Sequence, residues 1–390
     1  MRPDGETILQ FGGGNFLRAF VDVFLHDANV EGQEVGLAVV ITSTDSPRAQ
    51  QINASRGAYH VHCRGRLEGV EVDETRRYDR GLARALPAAS DWPEVLRLAR
   101  SPDLRLVVSN TTEAGFILDD ADGHSDVART ALGAAASLLP GAPPSPQSAT
   151  PASFPAKLLA VLAARYHSGL PALTVVPCEL YEENGDRLRK LVLEQARRWG
   201  LSGDLLEWIR NQCLWPNTLV DRIVSGRPKS HPLLSEDSLL VVAEPYAFWA
   251  IENRPDLELF RHQHLRLVDN VAPFSLRKVR VLNGIHTALV CRALPLGIET
   301  VAEALEHSEV GPWLRQLLDE EILPVLKGRV PDLEEFVRSG LERFGNPHLH
   351  HRLADIAIHH ETKLQTRLVP TAREFEERFG RKPPLLSRLL

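Results

Sequence analysis

Near its start the sequence carries the pattern that most restricts how the chain can fold. Residues 7–11 (TILQF) form a short apolar run that stops at Gly12-Gly13-Gly14, after which Phe16, Ala19, Phe20 and Val23 recur at helical spacing. Residues 35–41 (VGLAVVI) then read as a buried strand. Strand, glycine turn, helix and strand make a βαβ unit, and such a unit requires a parallel sheet with helices on its faces. Glycines let the backbone approach a pyrophosphate closely, and the free N–H groups at a helix start favour its charge, so the unit suits a dinucleotide. Read as G-x-G-x-x-G, the third glycine is replaced by Leu17, which makes the turn a weak motif when taken alone. Gly12, Gly14, Asn15 and Phe16 are its candidate cofactor-binding residues.

The second strand runs into Thr42, Ser43 and Thr44, with Asp45 and Arg48 after them. An acidic residue at this end normally binds the ribose hydroxyls of NAD, so Thr44 and Asp45 are candidates, NAD is the expected cofactor, and NADP stays open. Residues 104–109 (LRLVVS) form a third strand whose carboxyl end carries Asn110 and Thr111, where doubly wound sheets bind ligands. These two residues border the nicotinamide on one reading and form a plain turn on the other. The Ala-, Pro- and Ser-rich residues 133–155 read as an exposed loop. Helical residues 157–166, strand 173–176, helix 182–198 and strand 239–243 continue the alternation, and the aromatic cluster at 244–249 reads as core or domain interface. From Asn270 the patterns are helical: 276–294, 300–306, 311–326, 332–343 and 350–365. The expected fold class is therefore α/β, with a Rossmann-like doubly wound sheet domain over residues 1–269 and a mostly α-helical substrate domain over residues 270–390.

At 390 residues the chain has ample capacity for two cores. A net charge of −6, from 45 basic and 51 acidic residues well mixed along the chain, argues against nucleic acid or an anionic membrane as the main partner. Cys63, Cys178, Cys213 and Cys291 have neither zinc-site nor disulfide-framework spacing, and read as reduced thiols. Strand signals begin by Thr7 without room for a signal peptide, and no apolar run reaches about 18 residues, so the expected location is cytoplasmic.

The chemistry concentrates in residues 275–295 (SLRKVRVLNGIHTALVCRALP), where Lys278, Asn283 and His286 share one apolar segment. On an α-helix, offsets of five and eight residues put Asn283 roughly 140° and His286 roughly 80° around from Lys278, within one broad face. Ser275 is a plausible N-cap, and Leu282, Ile285 and Leu289 recur at helical spacing. Oxidising a secondary alcohol needs a base within hydrogen-bond reach of the hydroxyl, a task open to a lysine whose pKa burial has lowered. Asn283 and His286 then hold the oxygen as charge develops on it. Gly284 in mid-helix costs about 1 kcal/mol, which close approach by cofactor or substrate would explain. Arg343, Asn346, His350, His351, Lys363 and Arg367 gather further cationic and polar groups downstream.

The spacing K-x4-N-x2-H of Lys278, Asn283 and His286 resembles the signature of the polyol-specific long-chain dehydrogenases, the mannitol dehydrogenase family. ILQFGGGNFLRAFVD at 8–22, SFPAKL at 153–158, VPCEL at 176–180 with Asn184-Gly185, LVDRI at 219–223 and RKVRVLNGIHTALV at 277–290 are similar to its tagaturonate reductase (altronate oxidoreductase) branch. The resemblance implies a zinc-independent, NAD-dependent enzyme that interconverts a keto-uronate and its aldonate, with the lysine as general acid/base and asparagine and histidine on the reacting oxygen. It also implies active-site roles for Asp221 of the VDR motif and for Arg343 and Asn346 of an RFxNP segment. Glu179 stands where mannitol dehydrogenases carry an asparagine, so its role is expected to differ. Members of that branch continue for several dozen residues past the segment matching 378–390, which makes the helical domain short for the family.

Alternatives are a fructuronate, mannitol or mannitol-1-phosphate dehydrogenase, or a nucleotide-binding protein without turnover. The expected partner is a small sugar-acid substrate, with neither nucleic acid nor membrane, in a monomer or homodimer.

Overall fold

The computed structural model describes residues 5–43, 47–112, 115–123, 150–346, 348 and 351–390. Thr44, Asp45, His350 and the greater part of the expected loop at 133–155 lie outside the described residues. The chain divides into two compact units. The first comprises Met1–His62, Thr75–Ala243 and Ala247–Asp269; the second comprises Cys63–Glu74, Glu244–Tyr246 and Asn270–Leu390.

In the first unit, β1 (Glu6–Phe11) leads to α1 (Asn15–Arg18), α2 (Val21–Val30), β2 (Leu37–Thr42) and α3 (Arg48–Ala54). After these come β3 (Tyr59–Leu67) and β4 (Val70–Tyr78), whose residues 63–74 belong to the second unit, then β5 (Leu82–Pro87), α4 (Ala88–Ala99) and β6 (Leu106–Ser109). Then follow α5 (Phe154–His167), β7 (Thr174–Pro177), α6 (Asn184–Arg198) and α7 (Gly203–Asn211). The central sheet has the order β5-β2-β1-β6-β7, and each of its pairings is parallel. Leu9 pairs with Val39 on one side and Val107 on the other, and Val107 pairs in turn with Val175. All four are fully buried, which is why these strands read as mainly apolar runs rather than alternating ones. Helices α4 to α7 pack their apolar faces on the sheet through Trp92, Val95, Leu159, Leu188 and Trp208.

The strands β8 (Thr218–Asp221), β9 (Val224–Gly226), β10 (Val241–Ala243), β11 (Phe248–Glu252) and β12 (Leu265–Val268) complete two smaller sheets, of orders β4-β3-β10-β9 and β12-β11-β8. Of these the sequence signals only β10, together with none of β3, β4 and β5, because the strands are short or carry charged residues on an exposed face.

The helix expected after the glycine turn is broken. Phe20 takes a non-helical backbone (φ −139°, ψ −89°), which leaves α1 four residues long before α2 begins. The apolar spacing carries across the break, so periodicity alone does not reveal it.

The second unit is helical: α8 (Ala272–Arg277), α9 (Gly284–Ala293), α10 (Val301–Glu306), α11 (Val310–Leu317), α12 (Leu323–Leu326), α13 (Leu333–Phe344), α14 (Leu353–Ile356), α15 (His360–Lys363) and α16 (Val369–Phe379). Three π-helical turns, Lys278–Asn283, Leu318–Ile322 and Leu364–Leu368, interrupt runs that read as continuous α-helix in the sequence. Val281, Ile285, Leu289, Leu314, Ile322, Phe336 and Leu368 form the core of this unit. Residues 63–74 join it because the Asn346 side-chain amide donates to the Arg64 carbonyl (3.0 Å) and Glu342 Oε1 accepts from the Gly69 N–H (2.7 Å). No helix among the described residues is long and apolar enough to cross a membrane.

Candidate functional site

In the first unit the candidate residues collect at the carboxyl ends of β1, β6 and β7, where the strand order of an open sheet reverses and ligands bind. Gly12 has φ +113°, and a Cβ there would lie 2.8 Å from the Asn110 carbonyl oxygen, so only glycine lets β1 leave the sheet beside β6. Gly14 is exposed, and a Cβ on it would meet nothing within 4 Å. Asn15 and Phe16, both half-buried, follow on α1, with the Phe16 ring stacked on Phe20 at 4.9 Å.

Glu179, 4% exposed just past β7, accepts from the Ser109 hydroxyl (3.0 Å), the Thr111 N–H (2.9 Å) and the Thr111 hydroxyl (3.2 Å). Burial pushes its carboxyl above the usual carboxylate range, against the pull of these donors. Asn110 donates to the Cys178 carbonyl (2.7 Å). The ends of β6 and β7 are thus tied together by Glu179 and Asn110, which makes the segment around Thr111 a fixed element rather than a loose turn. Asn184 braces the same edge by donating to the Pro177 carbonyl (3.2 Å) and the Glu179 carbonyl (3.0 Å) while accepting from the Thr218 N–H (2.8 Å). Asp221 closes β8 almost fully buried. The next residue, Arg222, donates to the Ala19 carbonyl (2.7 Å), at the break between α1 and α2.

Beneath the glycine turn lies a polar group that the sequence reading missed. Arg18, 1% exposed, donates to the Gly13 carbonyl (2.5 Å), the Asn15 side-chain oxygen (2.8 Å) and the Leu239 carbonyl (3.4 Å). Gln10, fully buried, donates to the Gly12 carbonyl (3.2 Å) and to Asp22 Oδ2 (3.3 Å). Burial pushes the Asp22 carboxyl up to about 7 despite Gln10 and Arg18, and lowers the Arg18 guanidinium to about 10, with Arg48 adding to the effect. The signal was available: Gln10 interrupts an apolar strand, and Arg18 and Asp22 stand four apart in an apolar helical run.

In the second unit the π-turn places the triad. A π-turn adds one residue to the α-helical ladder, so an offset of five acts as four and eight as seven. That puts Asn283 about 40° and His286 about −20° from Lys278, a far narrower face than the α-helical reading gives. All three are half-buried, while Arg280, Val281, Leu282, Ile285 and Leu289 on the other faces are buried. Two arginines anchor the segment from behind. Arg277 donates to the Pro331 carbonyl (2.7 Å) and stacks on Phe336 (4.1 Å), and Arg280 reaches Thr371 Oγ1 (2.8 Å) and Glu374 Oε1 (2.9 Å). The His286 ring packs on Phe344 (4.2 Å between centroids) and edge-on to His351 (4.5 Å), whose imidazole burial holds below its ordinary pKa.

Gly284 has ordinary helical dihedrals, and a Cβ on it would sit 3.7 Å from both Leu368 Cδ2 and the Val279 carbonyl oxygen. The chain's own packing therefore does not demand a glycine there.

The RFxNP residues are placed in buried structural contacts. Arg343, 3% exposed, makes a two-pronged ion pair with Glu244, 1% exposed (2.9 and 2.7 Å), and stacks on Tyr246 at 4.1 Å. Asn346, 3% exposed, holds the backbone of residues 64–65. Arg367 lies instead on the triad helix, with Nη1 3.5 Å from the Asn283 carbonyl oxygen and 3.3 Å from Thr287 Oγ1. Lys363, one turn earlier, donates to the Ile356 carbonyl (2.7 Å). Burial lowers the pKa of both cations, and neither has a carboxylate partner among the described residues.

A parallel sheet with a glycine turn at its carboxyl ends suits a dinucleotide, and the comparisons with known proteins show the class, an oxidoreductase of CH–OH groups. The mannitol dehydrogenase Rossmann domain matches residues 6–259, and the mannitol dehydrogenase C-terminal domain matches residues 270–388. This chain belongs to the mannitol dehydrogenase family, a family of polyol and sugar-acid dehydrogenases. It is 36% identical to an altronate oxidoreductase of Bacillus subtilis (strain 168) over 98% of this chain and 77% of that protein. It is 34% identical to an altronate oxidoreductase of Yersinia enterocolitica over 99% and 78%. Its fold is shared by mannitol 2-dehydrogenase of Pseudomonas fluorescens, solved with NAD and D-mannitol (TM-score 0.75, 22% identity, 99% and 78% coverage), and by D-sorbitol dehydrogenase (TM-score 0.80, 24%, 96% and 77%).

Proposed function

We propose that this protein is an NAD-dependent tagaturonate reductase, interconverting tagaturonate and altronate. The observation that carries the reading is the π-turn, which gathers Lys278, Asn283 and His286 on one narrow face of a buried helix. Identity above a third to a protein named altronate oxidoreductase supports a sugar acid as the substrate.

A nicotinamide dinucleotide, when bound, would supply or accept the hydride. Asn283 and His286 donate hydrogen bonds to the substrate carbonyl oxygen, and as that oxygen becomes an alkoxide the same bonds strengthen, which lowers the barrier. The Lys278 ammonium gives its proton to the alkoxide and recovers one from solvent; in the oxidation direction the neutral amine takes the hydroxyl proton. NADH, the ketone and one proton thus give NAD and the alcohol. Gly12, Gly14, Asn15, Phe16, Asn110 and Thr111 would hold the dinucleotide, with Glu179 keeping Thr111 in place rather than touching the substrate oxygen. Lys363 and Arg367 receive the substrate carboxylate, because burial and, for Lys363, its neighbour Arg367 disfavour their charged forms and neither has an acidic partner among the described residues, whereas Arg343 is committed to Glu244. Asp221 orders the substrate hydroxyls.

NADH oxidation assayed with tagaturonate, fructuronate, fructose and fructose 6-phosphate tests the reading: tagaturonate is expected to rank first. Lys278→Ala is expected to lower kcat by about 10²- to 10⁴-fold with NADH affinity retained. Normal turnover by that variant would remove the lysine from its role. Tight NADH binding with no keto-acid reduced would favour a binding protein over an enzyme.

A further inference from the structure

The parts beneath the glycine turn have a property that the proposed function does not use. A peptide unit is planar and trans, so a carbonyl that points inward sends the N–H of the next residue outward. Gln10 draws in the Gly12 carbonyl and Arg18 draws in the Gly13 carbonyl. Among the described residues the N–H groups of Gly13 and Gly14, which belong to these same two peptide units, have no hydrogen-bond partner. Gly14 is also exposed, with open space where a side chain would stand. The helix that follows is only four residues long, too short for its aligned peptides to provide much of the positive end charge on which dinucleotide turns usually rely. In its place stands a whole guanidinium, buried under the turn and bonded to it twice, through Gly13 and through Asn15.

We infer that Arg18, with Gln10, is a positioning residue for the dinucleotide: the pair turns the Gly12 and Gly13 carbonyls inward, aims the next two N–H groups at the pyrophosphate, and sets a positive charge behind them. The inference rests on the proposed use of a nicotinamide dinucleotide. Asp22 accepts from Gln10 (3.3 Å), which orients that amide, and adds a longer-range attraction to Arg18. Arginine is required for this task because its planar fork serves two acceptors at once, and a lysine ammonium at the same place cannot span Gly13 and Asn15.

A second buried arginine provides the control. Arg165 is 2% exposed and donates to the carbonyls of Pro171 (2.5 Å), Ala99 (3.2 Å) and Ser101 (2.9 Å), at the amino ends of β6 and β7, the edge of the sheet away from the turn. NADH affinity of the full chain, read by fluorescence titration, is compared for the wild type, Arg18→Lys and Arg165→Lys, together with melting temperature and with kcat at saturating NADH. Arg18→Lys is expected to weaken NADH binding by about 10- to 100-fold, since charge-assisted contacts are lost, while kcat at saturation changes little. Arg165→Lys is expected to lower the melting temperature comparably with NADH affinity kept within about twofold. NADH binding by Arg18→Lys within that same margin, or an equal weakening in Arg165→Lys, overturns the positioning role. Should Arg18→Lys fail to fold, Gln10→Leu reads the same turn: a loss of at least about threefold supports the inference and unchanged binding overturns it. A wild type that binds no NADH overturns the function reading and this one with it, whereas a wild type that binds beside an unaffected Arg18→Lys overturns this one alone.

Discussion

The guanidinium of Arg367 lies 3.5 Å from the carbonyl oxygen of Asn283 and 3.3 Å from the hydroxyl of Thr287, so the cation sits on the helix that carries the proposed catalytic residues. Both contacts are neutral acceptors, which leaves its charge for an anion. Arg367→Ala is expected to lower kcat/KM for a keto-uronate roughly 30- to 150-fold, the equivalent of about 2–3 kcal/mol for a charge-assisted contact, and to change that for fructose by less than about threefold. Parallel losses on both substrates would assign Arg367 to holding the helix instead.

Arg343 and Glu244 pose the opposite case, a buried two-pronged pair with no charge to spare. Arg343→Met leaves a buried carboxylate unpaired and is expected to cost about 3–5 kcal/mol of stability, while the double variant Arg343→Met/Glu244→Leu recovers a large part of it. Denaturant unfolding of the three proteins checks this. A single variant that keeps full stability yet loses affinity for the keto acid would return Arg343 to the substrate.

Gly284 separates packing from function. Because a Cβ there meets its neighbours at ordinary contact distance, Gly284→Ala is expected to leave stability unchanged or raise it by up to about 1 kcal/mol. If cofactor or substrate passes close to that backbone, kcat/KM falls at least about tenfold in the same protein. A variant both stable and fully active would show that no ligand comes near.

Asp22 gives a pH dependence of definite sign. Its carboxyl is raised in the folded protein to about 7 by burial, and in the unfolded chain it returns to the ordinary carboxylate range. The native state therefore binds the extra proton between about pH 4 and pH 7, and its stabilising share is complete below that window and lost as pH rises through it. Wild-type stability relative to Asp22→Asn is expected to fall by the order of a few kcal/mol from pH 5 to pH 8. A difference that does not vary with pH would mean that Asp22 stays charged.

The sequence carried the architecture where residues are buried on both sides or repeat at a fixed period. Strands β1, β2, β6 and β7 stood out because a parallel strand covered by helices on both faces is mainly apolar along its length. The hairpin of β3 and β4, with Glu71, Asp73, Glu74, Arg76 and Arg77 on β4, shows no such run, since one of its faces meets water. Lys278, Asn283 and His286 stood out as a candidate group by residue type and spacing.

What spacing could not determine was the angle between them. One inserted residue in the helical ladder rotates everything after it by about 100°, and whether a segment takes that insertion depends on what grips it from outside, here Arg277 on Phe336 and Arg280 on Glu374. The same holds for the cations. Arg343 and Arg367 are alike in the sequence, and only the tertiary fold, by placing Glu244 against one and the neutral Asn283 carbonyl against the other, decides which charge meets a carboxylate and which meets neutral acceptors. The sequence by itself determined the chemistry available to this protein, through the kinds of side chain and the layers they must form. The tertiary structure decided how that chemistry is distributed, because burial and charge pairing depend on neighbours that lie far apart along the chain.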